Sequence, residues 1–130
     1  MALPKIAALI ADGLNATGVR WMAIGSIAAM SYGEYRVTND INIVLVLTGS
    51  DIEKLVAAFP IEEFDCPPTD VIALEAAQDE HGHFNLIHHE TGFKADVYFA
   101  GKERLSHWAL QQRQAIELAD SLIWIARPNT

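Results

Sequence analysis

Residues 40 to 46 read Asp-Ile-Asn-Ile-Val-Leu-Val, and no other run limits the fold as much. Successive side chains of a strand point to opposite faces, so residues i and i+2 share one. Asp40 and Asn42 therefore project together, while Ile41, Ile43 and Leu45 point the other way, into a core. The β-branched, apolar character of 41–47 marks a central strand. Upstream, the short apolar strand 20–24 runs into Gly25-Ser26. Ser26 is placed to N-cap a helix over 27–32, which Gly33 ends. A strand that feeds a helix through a Gly-Ser turn makes a place for phosphate. A strand that opens with two polar side chains on one face makes a place for a metal ion.

The rest of the chain supplies the layers around these strands. Leu3, Ile6, Leu9, Ile10 and Leu14 fall on one face of a helix over 3–14, and 15–18 form its stop. Ser50 or Asp51 caps a helix that runs to about Phe59, and Pro60 ends it. Residues 61–64 read as a short strand before the Pro67-Pro68 break. Thr69 is expected to cap a helix over 71–77. Glu90-Thr91-Gly92 joins strands 83–89 and 93–99 in a hairpin. A helix over 102–110 follows, then strands 115–118 and 122–125 around residues 119–121. The expected fold class is α/β (α+β), a mixed sheet packed against helices, in a single domain over 1–130.

Composition narrows the function classes. Half of the 130 residues are hydrophobic, enough for a real core. A net charge of −8 argues against broad nucleic-acid binding, which needs a basic footprint. One cysteine excludes an internal disulfide framework. No apolar run reaches spanning length and no signal peptide stands out, so a cytoplasmic location without membrane contact is expected. The apolar strand 122–125 near the terminus suggests a chain truncated at its C-terminus.

Phosphoryl and nucleotidyl transfer depends on positioning and charge management. Mg²⁺ takes hard oxygen ligands, commonly one or two carboxylates plus phosphates and water. Asp40 offers one carboxylate. Asp96, inside the apolar strand 93–99, offers a second, and a charged group there needs a partner or a task. If strand 93–99 lies beside strand 41–47, Asp96 completes the cluster. The alternatives remain that Asp40 is turn chemistry before a strand, that Asp96 pairs with Lys94 or Arg36, and that Gly25-Ser26 is only a βα turn.

Gly25-Ser26, Asp40-x-Asn42 and a later Asp96 resemble, in this order, the nucleotidyltransferase superfamily. That superfamily carries a Gly-Gly or Gly-Ser turn, an Asp-x-Asp/Glu pair and a third Asp. The segment from Tyr32 to Asp40 is similar to the small prokaryotic branch that includes AbiEii-type toxin–antitoxin nucleotidyltransferases. The resemblance covers roughly residues 20 to 100. It implies a nucleotidyltransferase-like sheet and Mg²⁺-dependent transfer from a nucleoside triphosphate such as ATP to an acceptor hydroxyl on protein, RNA or a small molecule. Gly25 and Ser26 would contact the phosphates, with Arg36 and Thr38 near substrate. Asp40, Asn42 and Asp96 would hold metal, and Asp96 would act as general base. The branch continues into a helical C-terminal segment, and its absence here bears on the acceptor site.

Asn42 departs from the pattern, because an amide keeps one oxygen acceptor and loses the charge. Reduced metal affinity and turnover are expected. The alternative is a catalytically silent domain that binds as a toxin–antitoxin partner or regulatory module, or as a homodimer.

Other residues carry less. His88 and His89 are adjacent and would point to opposite faces, and His81 and His83 flank a glycine, so solvated polar residues are expected rather than a zinc site. Cys66 has no cation nearby and reads as a bystander. Trp21, Trp108 and Trp124 belong to core or to a partner surface, and Trp124 is the interface candidate if strand 122–125 lacks a neighbour.

Overall fold

The structure is a computed structural model, and it describes residues 3–24, 40–48, 50–77, 82–100, 110–118 and 120–125. The architecture is α+β: one mixed sheet of seven strands with three helices among the described residues. In chain order these are α1 (Leu3–Thr17), β1 (Arg20–Ile24), β2 (Asp40–Val46), α2 (Asp51–Ala58), β3 (Phe64–Asp65), α3 (Thr69–Ala76), β4 (His83–His88), β5 (Lys94–Phe99), β6 (Gln114–Leu118) and β7 (Ser121–Ile125). The expected helices over 27–32 and 102–110 lie outside the described residues, apart from the last position of the second.

The strand order across the sheet is β3-β4-β5-β2-β1-β7-β6. β2 runs parallel to β5 and β1 runs parallel to β7, while the remaining pairs are antiparallel. Short turns make the antiparallel hairpins. Gly92 has φ +73, and Asp120 has φ 66, both in the left-handed region that tight returns use. β7 therefore has β1 on one side and β6 on the other. The condition attached to Trp124, a strand without a neighbour, is not met, because the hairpin partner β6 takes the outer edge.

One face of the sheet is the core. Ile41, Ile43 and Leu45 of β2 are no more than 2% exposed, as the alternation requires. They join Trp21 and Ala23 of β1, Ala95 and Val97 of β5, Phe84 and Leu86 of β4, and Ile123 and Ile125 of β7 in one cluster. Against it lie Ile6, Ala7, Ile10, Ala11 and Leu14 of α1, Leu55 of α2 and Ile72 of α3. Asn15 ties the layers together. Its Oδ1 accepts from Trp21 Nε1 at 2.9 Å, and its Nδ2 donates to the Leu122 carbonyl at 2.7 Å. No helix among the described residues is long and apolar enough to cross a membrane.

Several local expectations are corrected. α1 continues to Thr17, three residues past Leu14, because the buried Thr17 hydroxyl donates to the Leu14 carbonyl at 2.6 Å and keeps the last turn closed. Residues 61–63 form a turn, and the short strand is Phe64–Asp65. α3 begins at Thr69 with Pro68 as its N-cap, so Thr69 is not the cap. Proline needs no N–H at a helix start, and its extended backbone sets the chain's entry. Ser50 is the N-cap of α2 but makes no side-chain cap bond. The Asp51 carboxylate instead ties the preceding loop to the first turn: it accepts from the Thr48 N–H at 2.9 Å and from the Thr48 hydroxyl at 2.7 Å. These bonds, the side-chain one first, hold the Asp51 carboxyl below its usual value.

His88 is another correction. It is 2% exposed rather than solvated. Its Nδ1 lies 2.9 Å from the Thr91 hydroxyl, and its ring meets Phe64 edge-on. The hairpin turn folds Thr91 back over it. His89 is exposed, as opposite faces demand.

Candidate functional site on the polar face of the sheet

The opposite face of β2, β5 and β4 carries the polar side chains. β2 pairs with β5 in parallel register, Asp40 with Lys94, Asn42 with Asp96 and Val44 with Tyr98. β5 pairs with β4, so that Asp96 faces Asn85 and Tyr98 faces His83. β1 pairs with β2, and Ile24 faces Asn42. One row across four strands thus reads Ile24, Asn42, Asp96, Asn85. Neighbouring strands lie about 4.7–4.9 Å apart, so residues opposed in this row are neighbours on one face. The strand adjacency on which a cluster depended is present.

This row lies in the middle of the sheet. β5 and β2 are the third and fourth strands of seven, because the 83–99 hairpin and β3 extend the sheet beyond them. The row sits one step inside the end where β1 leaves Ile24 for Gly25-Ser26. Gly25, Ser26, Arg36 and Thr38 lie outside the described residues. Asp40 opens β2 opposite Lys94 in register.

Asp96 keeps 18% of its side chain exposed, and its Oδ1 lies 3.5 Å from Lys94 Nζ. Lys94 is 40% exposed. The two stand at i and i+2 on one face, which is the ion pair weighed as an alternative. Such a partly solvated pair contributes about 0–1 kcal/mol and can be exchanged at little cost. It leaves the Asp96 carboxylate mostly covered, on a residue that stands opposite Asn42 in register.

Among the described residues no group of three His, Cys, Asp or Glu side chains forms a metal-holding cluster. The expected ligands whose side chains are described are the Asp96 carboxylate and the Asn42 amide oxygen. These are hard oxygen donors of the kind Mg²⁺ takes, its remaining positions going to phosphate oxygens and water.

Exposure changes steadily along the next row. Met22 of β1 is buried, Val44 of β2 is half-buried, and Tyr98 of β5 and His83 of β4 are exposed. The face is covered over β1 and opens over β5 and β4. The His83 and Tyr98 rings stack with centroids 5.5 Å apart and planes 25° from parallel.

Sequence reasoning missed Asn85 and this ring pair. The signal was there. The hairpin turn at Glu90-Thr91-Gly92 sets the register, and counting back from it puts Asn85 across from Asp96 and His83 across from Tyr98.

The remaining candidates sit elsewhere. Cys66 is half-buried, and burial first, then the Asp65 charge, push its thiol up to about 11. It is no nucleophile at neutral pH. Trp21 is in the core. Trp124 is half-buried on β7, with the Arg113 guanidinium 4.1 Å over its ring. That cation–π cover, together with two strand neighbours, removes the reason for expecting an open interface there. Trp108 and His81 lie outside the described residues.

No protein-family model matches the sequence, and no curated protein matches it.

Proposed function

We propose that this protein is a nucleotide-binding domain of nucleotidyltransferase type, whose transfer chemistry is weakened by Asn42. The observation that carries the reading is the register of β2 and β5. It sets Asn42 opposite Asp96 on an accessible polar face, at the end where β1 leads into Gly25-Ser26. An amide and a carboxylate at these positions are what remains of a carboxylate pair when one member loses its charge.

Asp40, Asn42 and Asp96 would hold Mg²⁺, which would supply charge neutralisation on the triphosphate. Gly25 and Ser26 would contact its phosphates, with Arg36 and Thr38 beside the substrate. The acceptor hydroxyl oxygen bonds to the α-phosphorus, and the bond from that phosphorus to the bridging oxygen breaks. Pyrophosphate leaves, and the hydroxyl proton passes to the Asp96 carboxylate.

The test is pyrophosphate release from α-phosphate-labelled ATP with Mg²⁺, following where the label goes: protein, RNA or a small molecule. Slow release that Asp96→Asn abolishes and Asn42→Asp accelerates supports the reading. Equal rates in all three proteins overturn it. The Lys94–Asp96 pair and Asn42 together favour a second reading, a silent domain that binds nucleotide or a partner chain. Saturable ATP binding with no label transfer in either the parent or Asn42→Asp identifies that case.

A further inference from the structure

A groove of about 360 Å³ runs along β4, lined by Asp65, Pro67, Val71, Glu75, His83 and Asn85, among others. Its origin is local. β3 pairs with β4 through Phe64–His88 and Asp65–Ile87. Continuing that count puts Pro67 opposite Asn85. Proline has no N–H to give to a ladder, so pairing stops and Pro67-Pro68 turns the chain into α3. On the far side α3 comes in close. A Cβ on Gly82 would lie 2.2 Å from the Glu75 carbonyl oxygen, so only glycine lets the helix end and the strand start meet.

The groove also has main-chain hydrogen-bonding groups along its wall. His88 N–H donates to the Phe93 carbonyl and Phe99 N–H donates to the Gly82 carbonyl. Even-numbered residues of this strand therefore bond inward to β5, and odd-numbered ones turn outward. His83 N–H donates outward to Glu75 Oε1 at 3.3 Å, and His89 N–H donates outward to the Glu63 carbonyl at 2.9 Å. Asn85 lies between them, with its main-chain groups turned toward the groove and its side chain beside Asp96 on the polar face.

We propose that this groove is the acceptor side of the centre, a proposal that rests on the nucleotidyltransferase reading. It takes a small cationic compound that carries a ring and a hydroxyl. Three features fix that class. The volume suits a small molecule and is too short for an extended chain, because Glu75 occupies one end of the free edge and β3 the other. Asp65 and Glu75 make the lining acidic, which attracts an amine and repels nucleic acid. The exposed His83–Tyr98 stack offers a flat surface at the rim, one strand step from Asp96, where a ring would hold its hydroxyl toward the carboxylate.

Tyramine and 4-hydroxyphenylacetate serve as probes, since they share ring and hydroxyl and differ in the sign of charge. Amide resonances are followed during titration of the intact protein. Tyramine is expected to saturate, to move the Asn85 and Tyr98 signals, and to bind at least about tenfold more tightly than the anion. Asp65→Asn combined with Glu75→Gln is expected to weaken tyramine by a similar factor, with the thermal midpoint unchanged as the control for folding. Equal binding of anion and amine, or no saturable shift up to about 10 mM, overturns the proposal. ATP titrated separately distinguishes the failures. ATP binding without tyramine binding removes the groove proposal alone, and tyramine binding without ATP binding removes the nucleotide reading and leaves a plain amine site.

Discussion

Strands β2, β5 and β4 carry two faces with opposite fates. On one, Ile41, Ile43, Leu45, Ala95, Val97, Phe84 and Leu86 are buried under three helices. On the other, Asn42, Asp96, Lys94, Asn85, Tyr98 and His83 stay half-exposed or exposed. The same backbone hydrogen bonds serve both. The difference teaches that stability is concentrated on the odd residues of β2 and that the even ones are freer to serve chemistry. Burial of an aliphatic side chain contributes about 1.5–3 kcal/mol, while an exposed ion pair contributes about 0–1 kcal/mol.

The largest effect that this contrast predicts is at Ile43. Truncation to alanine is expected to cost about 2–5 kcal/mol, read as a lower urea midpoint with an unchanged slope. A loss under about 1 kcal/mol would break the contrast, since it would mean that the helix layer collapses easily onto the gap. Asn42→Asp, the very next side chain, is expected to cost less than about 1 kcal/mol, from repulsion with Asp96 across the strands. A larger cost would show that the polar face is structural.

The smallest effect sharpens the comparison at the exit of β2. Asp51 ties Thr48 to the first turn of α2, and its folded-state carboxyl titrates below the usual 3.8. A depressed carboxyl contributes stability that is present above its unfolded value and lost as pH falls through its folded one. Asp51→Ala is therefore expected to lower stability by under about 1 kcal/mol at pH 7, and to make no difference once the pH is well below 3.8. Thermal unfolding across that range checks it. A difference that persists in acid would assign the effect to packing instead.

Much of the fold was legible where the pattern is local. The alternation in 40–46 named the core side of β2 correctly, and Gly92 marked the hairpin. The order of strands was not legible, because pairing β2 with β5 joins residues more than fifty apart and no local propensity encodes it. The mid-sheet place of Asn42 and Asp96 followed from that order. Ser50 holds the N-cap position of α2 as its place before the helix implies, but at α3 Pro68 rather than Thr69 is the N-cap, because the helix already begins at Thr69. The burial of His88 was hidden because only the folded hairpin brings Thr91 to it. Of the candidate site, the register of Asn42 and Asp96 is seen in the sheet, while Gly25, Ser26, Arg36 and Thr38 fall outside the described residues.

The most direct test of the central claim, that the polar face of β2 and β5 is a nucleotide centre weakened at one ligand, is calorimetric titration of ATP. It is run with and without Mg²⁺ into the parent protein and Asn42→Asp. The account predicts that Asn42→Asp binds Mg·ATP at least about tenfold more tightly than the parent, and that the gain disappears without the metal. Failure of both proteins to bind ATP, or a gain that is the same without Mg²⁺, would contradict it.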